Sequence, residues 1–177
     1  MKRCASILQY GVGRGAISHD LDKGCKRFAF IEKLGQLQRF RLLVERAIIF
    51  IMAVKGKNLL IVEDDLFLAT LLKNRMEKEG VNVSVAKDGD EAMTHIKVHK
   101  PDLILLDIIL PGKSGFEFLE ELRQQSLFKD IPIFIMSNLG QEDDIKRGNA
   151  LGIAEYFIKS HVPLEEMIKK ITAFLVS

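Results

Sequence analysis

The stretch PDLILLDIILPGKSG, residues 101–115, sets one carboxylate, Asp107, behind four aliphatics, Leu103 to Leu106. An ionised Asp is rarely buried without a partner, because taking its charge out of water costs more than packing gains. Other apolar runs end in the same way. NLLIVE runs into Glu63, Asp64 and Asp65, PIFIMS ends on Ser137, and EYFIK ends on Lys159. Gathered on one rim, these residues make a cluster of carboxylates with one hydroxyl and one ammonium. Carboxylates so placed drive up one another's pKa unless a cation is bound. A set rich in oxygen and free of thiol and imidazole suits Mg²⁺ or a similar hard ion such as Mn²⁺. Such an ion could hold two or three carboxylates and still face a phosphate, with Lys159 as the second positive charge.

The elements that must carry these residues follow from periodicity. NLLIVE (58–63), DLILLD (102–107) and PIFIMS (132–137) are continuous aliphatic runs, as strands covered on both faces of a parallel sheet should be. VNVSVA (81–86) alternates apolar and polar residues and reads as an edge strand, and the short EYFIK (155–159) suits the other edge. Helical periodicity lies between the runs. Leu164, Met167, Ile168, Ile171, Phe174 and Leu175 form one stripe, with Pro163 near the first helical position. Asp88 with Glu91 and Ser114 with Glu117 match the capping box, and Asp65 before LFLATLL reads as an N-cap. Gly80 and Gly152 stand where helices should close. From Asp143 to Leu151 only Ile145 and Leu151 are large and apolar, so that helix is expected to be loosely held. The fold class is α/β, a flavodoxin-like (βα)5 doubly wound parallel sheet with strand order 2-1-3-4-5, whose ligands bind at the carboxyl ends of the strands.

Charge divides the chain. Residues 1–54 hold ten Lys/Arg against four Asp/Glu, and residues 55–177 hold sixteen against twenty, so a basic N-terminal extension, poorly ordered or partly helical near Phe28 to Ile51, precedes a balanced domain. MAVKGKNLLIVEDD from Met52 looks like a natural start, so the expectation is that translation begins at Met52 or else that the upstream segment is a poorly ordered extension with one helix. Cys4 and Cys25 are the two cysteines, too few for a disulfide framework and fitting a reducing compartment. AIIFIMAV (47–54) is far short of a membrane span. The expected location is the cytoplasm.

Across residues 58 to about 175, the five strand-end motifs in this order resemble the receiver domain of two-component response regulators. The resemblance implies that Glu63 and Asp64 hold the metal, Mg²⁺ or Mn²⁺, together with Asp107 and the backbone carbonyl of Ile109. It makes Asp107 the phosphoacceptor, Ser137 the hydroxyl that contacts the phosphoryl group, Lys159 its ammonium partner, and Tyr156 the aromatic switch. It further implies a sensor histidine kinase or phosphotransfer protein as donor, and docking of a downstream protein target on the fourth helix, fifth strand and fifth helix. The protein would then not be an enzyme beyond self-catalysed phosphorylation and dephosphorylation. Two positions depart from the family: Ser160 stands where Pro usually follows the lysine, and Asn138 where a small residue usually follows the hydroxyl. With the chain ending at Ser177, a stand-alone receiver is expected, with no nucleic-acid partner.

Other signals are weaker. His95 and His99 have the i, i+4 spacing of metal ligands without the HExxH glutamate and read as solvated residues at a helix end. GVGRGA (11–16), with Glu32 beyond it, fits the loose dinucleotide pattern, but Asp20, Asp22 and Gly24 interrupt the helix that should follow. The basic run from Lys23 to Arg46 could touch nucleic acid or an acidic membrane surface, and is read first as a solvated flank. Two other functions compete with the phosphoacceptor. A phosphohydrolase using Asp107 would carry an acid two residues on, where Ile109 stands, and a phosphorylation-independent adaptor would not need the complete set of charged residues.

Overall fold

The computed structural model describes residues 38–45 and 52–177. The chain divides into two compact units, Met1–Ile48 and Ile49–Ser177. In the first, residues 38–45 are helical, and Arg41 Nε donates to Glu45 Oε1 at 2.8 Å one turn on. The rest of the helix expected over 28–51, the GVGRGA motif and both cysteines lie outside the described residues. Among the described residues no helix is long and apolar enough to cross a membrane.

The second unit alternates strand and helix throughout: β1 (Asn58–Val62), α1 (Leu66–Lys78), β2 (Asn82–Ala86), α2 (Gly89–Val98), β3 (Leu103–Leu106), α3 (Gly115–Gln124), β4 (Ile133–Ser137), α4 (Glu142–Ala150), β5 (Glu155–Ile158) and α5 (Leu164–Leu175). The five strands form one parallel sheet in the order β2-β1-β3-β4-β5, the flavodoxin-like order expected from the sequence. All of β3 and β4 is buried, whereas β2 alternates because its outer edge meets water. Helices cover both faces. α1 and α5 bury Leu72, Met76, Ile168 and Ile171 against Leu59, Ile61, Leu103 and Phe134. On the other face α2 and α3 bury Ala92, Ile96, Phe118 and Leu122 against Leu60, Val62, Ile104 and Ile133. Val54, 1% exposed, joins the first of these cores although it precedes β1.

The local signals act as their chemistry requires. Asp65 caps α1 by accepting from the amides of Phe67 and Leu68 at 2.9 and 3.2 Å. Ser114 and Glu117 form a complete capping box at α3. Asp88 accepts from the Glu91 amide at 2.8 Å, but the Glu91 carboxylate reaches back to the amide of Lys87 rather than that of Asp88. Pro163 takes the N-cap position of α5, one residue before the helix. Gly80 and Gly152 close their helices at φ of 93° and 71°, where a side chain would be strained. α4 buries only Gly148, and a Cβ there would stand 2.9 Å from Ile153 Cδ1 and 3.2 Å from Ile135 Cδ1. That helix approaches the sheet through a bare backbone because it has few large apolar side chains to insert.

Candidate functional site

Parallel register brings the strand ends to one rim. Val62 pairs with Leu106, Leu106 with Ile135, and Ser137 with Ile158, so Glu63, Asp107, Ser137 and Lys159 emerge together. The ladder runs on into the site: the Glu63 amide donates to Ala86 O at 3.0 Å, the Asp107 amide to Val62 O at 2.9 Å, and the Lys159 amide to Ser137 O at 2.9 Å. These four strand-end side chains are therefore attached to backbone that the sheet itself holds in place.

Lys159 organises the acids. Its Nζ donates to Glu63 Oε1 and Oε2 at 3.0 and 2.8 Å and to Asp107 Oδ2 at 2.6 Å. Glu63 and Asp107 are buried at 1% and 5% exposure, while Asp64 is exposed. Glu63, Asp64 and Asp107 each offer a carboxylate oxygen within 4.8 Å of the others. Three carboxylates thus face one ammonium. Burial raises the pKa of Glu63, against the Lys159 hydrogen bond and with the help of the Asp107 charge. Burial pulls Lys159 down, but its bonds to Asp107 and Glu63 prevail and hold it above the usual lysine value.

The remaining expected residues surround this core. Ser137 is fully buried, and its Oγ accepts from the Leu139 amide at 3.3 Å. Tyr156 is half-buried and its hydroxyl donates to Leu139 O at 2.9 Å. Burial, with the Asp144 and Asp107 charges behind it, pushes that phenol up to about 12. The Ile109 amide donates to Asp107 Oδ1 at 3.1 Å while its side chain is 55% exposed. Asn138 is exposed beside Ser137. Ser160 lies in a tight turn closed by the amides of His161 and Val162 on Ile158 O, at 2.9 and 3.2 Å. Asp65 is engaged in its helix cap and is not among the three grouped carboxylates. His95 and His99 sit apart from the rim, beside a shallow groove with Asn58, Ser84 and Pro101. Among the described residues, Glu63, Asp64 and Asp107 are the only three metal-competent side chains that meet.

Two contributors were not read from the sequence. Leu139 joins Ser137 to Tyr156 through its amide and carbonyl, which no residue type announces. Gly115 leaves space that nothing larger could: a Cβ would overlap the Asp107 carbonyl and lie 2.7 Å from Ile108 Cα. Its signal was a glycine directly after a helix cap, where glycine is a poor helix former.

The chain matches the response regulator receiver domain family over residues 59–172. It is 38% identical over 110 residues to the alkaline phosphatase synthesis transcriptional regulatory protein PhoP of Bacillus subtilis (strain 168), covering 62% of this chain and 45% of that protein. It is 34% identical over 120 residues to the phosphate regulon transcriptional regulatory protein PhoB of Escherichia coli (strain K12), covering 68% of this chain and 52% of PhoB. Among solved structures, the Mn(2+)-bound form of response regulator Rcp1 superposes with a TM-score of 0.63 at 28% identity, covering 69% of this chain and 96% of that one. The chain spans about half the length of the curated relatives it matches. These relatives correct one expectation. They are transcriptional regulators, so the reading of partners without nucleic acid does not stand; it had rested on the end of the chain, which does not report on output. Five strands in receiver order, the acid triad with Lys159 at their rim and the match over residues 59–172 together place the chain in the response regulator receiver domain family, the phosphorelay signalling receivers of two-component systems.

Proposed function

We propose that Asp107 accepts a phosphoryl group from a phosphohistidine on a sensor kinase or phosphotransfer protein, and that the acyl phosphate is the signal. One observation carries the reading: Lys159 bridges two buried acids at the rim while a third carboxylate completes an all-oxygen set. Three acids, two of them buried, against one ammonium leave net negative charge at the rim, which suits a hard dication such as Mg²⁺ or Mn²⁺. Rcp1 has been solved in a Mn(2+)-bound form. Glu63, Asp64 and Asp107 would hold the ion with the Ile109 carbonyl, and when bound it would neutralise charge developing on the phosphoryl oxygens.

The chain's own residues do the rest. An Asp107 carboxylate oxygen attacks phosphorus, the new P–O bond forms as the P–N bond breaks, and the nitrogen keeps the electron pair. The Ile109 amide on Oδ1 and the Lys159 ammonium on Oδ2 fix the carboxylate for that approach. Lys159 and the Ser137 hydroxyl then pair with the transferred oxygens. Tyr156 and the loop through Leu139 respond to that move. Because the relatives act in transcription, transcriptional control belongs among the outputs of this switch.

The test is incubation of the full chain with Mg²⁺ and a small phosphodonor, followed by intact-mass measurement. One metal-dependent phosphoryl adduct is expected, absent in Asp107→Asn. An unlabelled wild type, under conditions that label a control receiver, would replace the reading with a phosphorylation-independent adaptor.

A further inference from the structure

α4 is fastened at one end. Its C-terminal carbonyls are gripped from α3 by Arg123, whose Nε donates to Leu151 O at 3.0 Å and whose Nη2 donates to Gly152 O at 3.0 Å. The same guanidinium reaches the strand lead-in through Nη1, to Lys129 O at 2.8 Å and Ile131 O at 3.0 Å. Leu151 is the C-cap of α4 and Gly152 its left-handed closing residue. A cation there satisfies carbonyls left without intrahelical partners and meets the negative end of the helix dipole. Two further contacts fall in the same half of the helix. Arg147 donates to Glu120 Oε1 at 2.8 Å and stacks 4.4 Å over the Phe116 ring, and Gly148 brings the backbone onto Ile153 and Ile135.

The other half is different. Gln141 at the N-cap makes no side-chain cap bond, and among the described residues Glu142 and Asp143 pair only with Lys146 of the same helix, on exposed side chains. Just before it, the Leu139 peptide is held by Ser137 and Tyr156, both at the phosphoryl rim.

We propose that Arg123 is the fulcrum of the output helix: it pins the C-terminal end of α4 to α3 and the β4 lead-in, while the loop at Leu139 and the N-terminal half of α4 swing when Asp107 is phosphorylated. The inference rests on the phosphoacceptor reading. A Ser137 hydroxyl turned toward a phosphoryl oxygen gives up the Leu139 amide, and the released loop moves the unpinned end. Nine helical residues make a lever roughly 13 Å long, so a tilt of ~10° displaces the free end by ~2 Å while the pinned end stays put. Arg123 touches neither the reacting atoms nor their ligands, so it is a positioning residue.

Hydrogen exchange on the full chain with Mg²⁺, with and without beryllofluoride as the phosphoryl stand-in, reads the lever directly, alongside the intact-mass assay. In wild type the activated state should change exchange at amides 139–146 and leave 149–153 unaltered. Arg123→Met should spread the change through 149–153, with exchange there faster by roughly tenfold, while Asp107 is still phosphorylated at the wild-type rate. Arg123→Lys, one ammonium in place of a fork, should lie between. A uniform change along α4 in wild type would overturn the fulcrum without need of any variant, as would an Arg123→Met pattern identical to wild type. Absence of any adduct on Asp107 would overturn the phosphoacceptor reading and the lever with it, whereas a normal adduct with a uniform response removes the lever alone.

Discussion

Lys159 serves two acids at once, and that division of one charge is what the residue types alone could not show. The family resemblance implied Glu63 beside a metal and Lys159 beside a phosphoryl group, and the structure joins Lys159 to Glu63 at 2.8 Å. Asp107, Ser137 and Lys159 were legible because each ends an apolar run, whereas Leu139 was not, since it acts only through its peptide group. Tyr156 binds that peptide, and its titration gives a test. Its phenol lies above the ordinary 10.0, at about 12, because burial and then the Asp144 and Asp107 charges disfavour the phenolate. A folded pKa above the unfolded one means a contribution fully present below pH 10 and lost as pH rises toward 12. Urea unfolding should therefore show wild type losing stability through that window more steeply than Tyr156→Phe. At neutral pH the variant should be weaker by about 1 kcal/mol, for the bond to Leu139. Parallel alkaline slopes for the two proteins would mean that the phenol is not perturbed in the fold.

Helix starts differ in how firmly they are fixed, and the difference follows the expected use of each element. α3 follows the loop after Asp107 and begins with reciprocal bonds: Ser114 N donates to Glu117 Oε2 at 2.8 Å, and Glu117 N donates to Ser114 Oγ at 3.3 Å. α4 begins on Gln141 with no such bond. The strands were legible because burial on both faces leaves an unbroken aliphatic record, and edge strand β2 because one wetted side makes it alternate. The sparse apolar content of α4 was legible too. Its close approach through Gly148 and its tether to Arg123 were not, because both depend on partners distant in sequence. Replacing the caps separates the two helices: Ser114→Ala should cost about 1 kcal/mol in urea unfolding, while Gln141→Ala should fall within about 0.5 kcal/mol of wild type. Equal losses would mean that the start of α4 is held by its N-cap side chain after all.

For the whole molecule, charge and packing draw different boundaries. The tally of basic and acidic residues changes after residue 54, yet Val54 is 1% exposed and belongs to the core that contains Leu59, Met76 and Val81. Its carbonyl accepts the Lys57 amide at 3.1 Å, which closes the turn into β1. A count of charges cannot register one apolar residue at its margin. Nor can the length of the chain decide its output, because the transcriptional regulators it matches are about twice the span it covers. What packing does fix is that Val54 belongs to the receiver core. A chain lacking residues 1–51 keeps Val54, and one lacking residues 1–54 removes it from a fully buried position. The second should be less stable than the first by about 2 kcal/mol, the worth of burying a valine side chain. The loss should appear as a lower urea midpoint at unchanged slope, since both chains expose nearly the same surface on unfolding. Identical midpoints would mean that Val54 contributes nothing to the core and that the boundary drawn by charge is also the boundary of the fold.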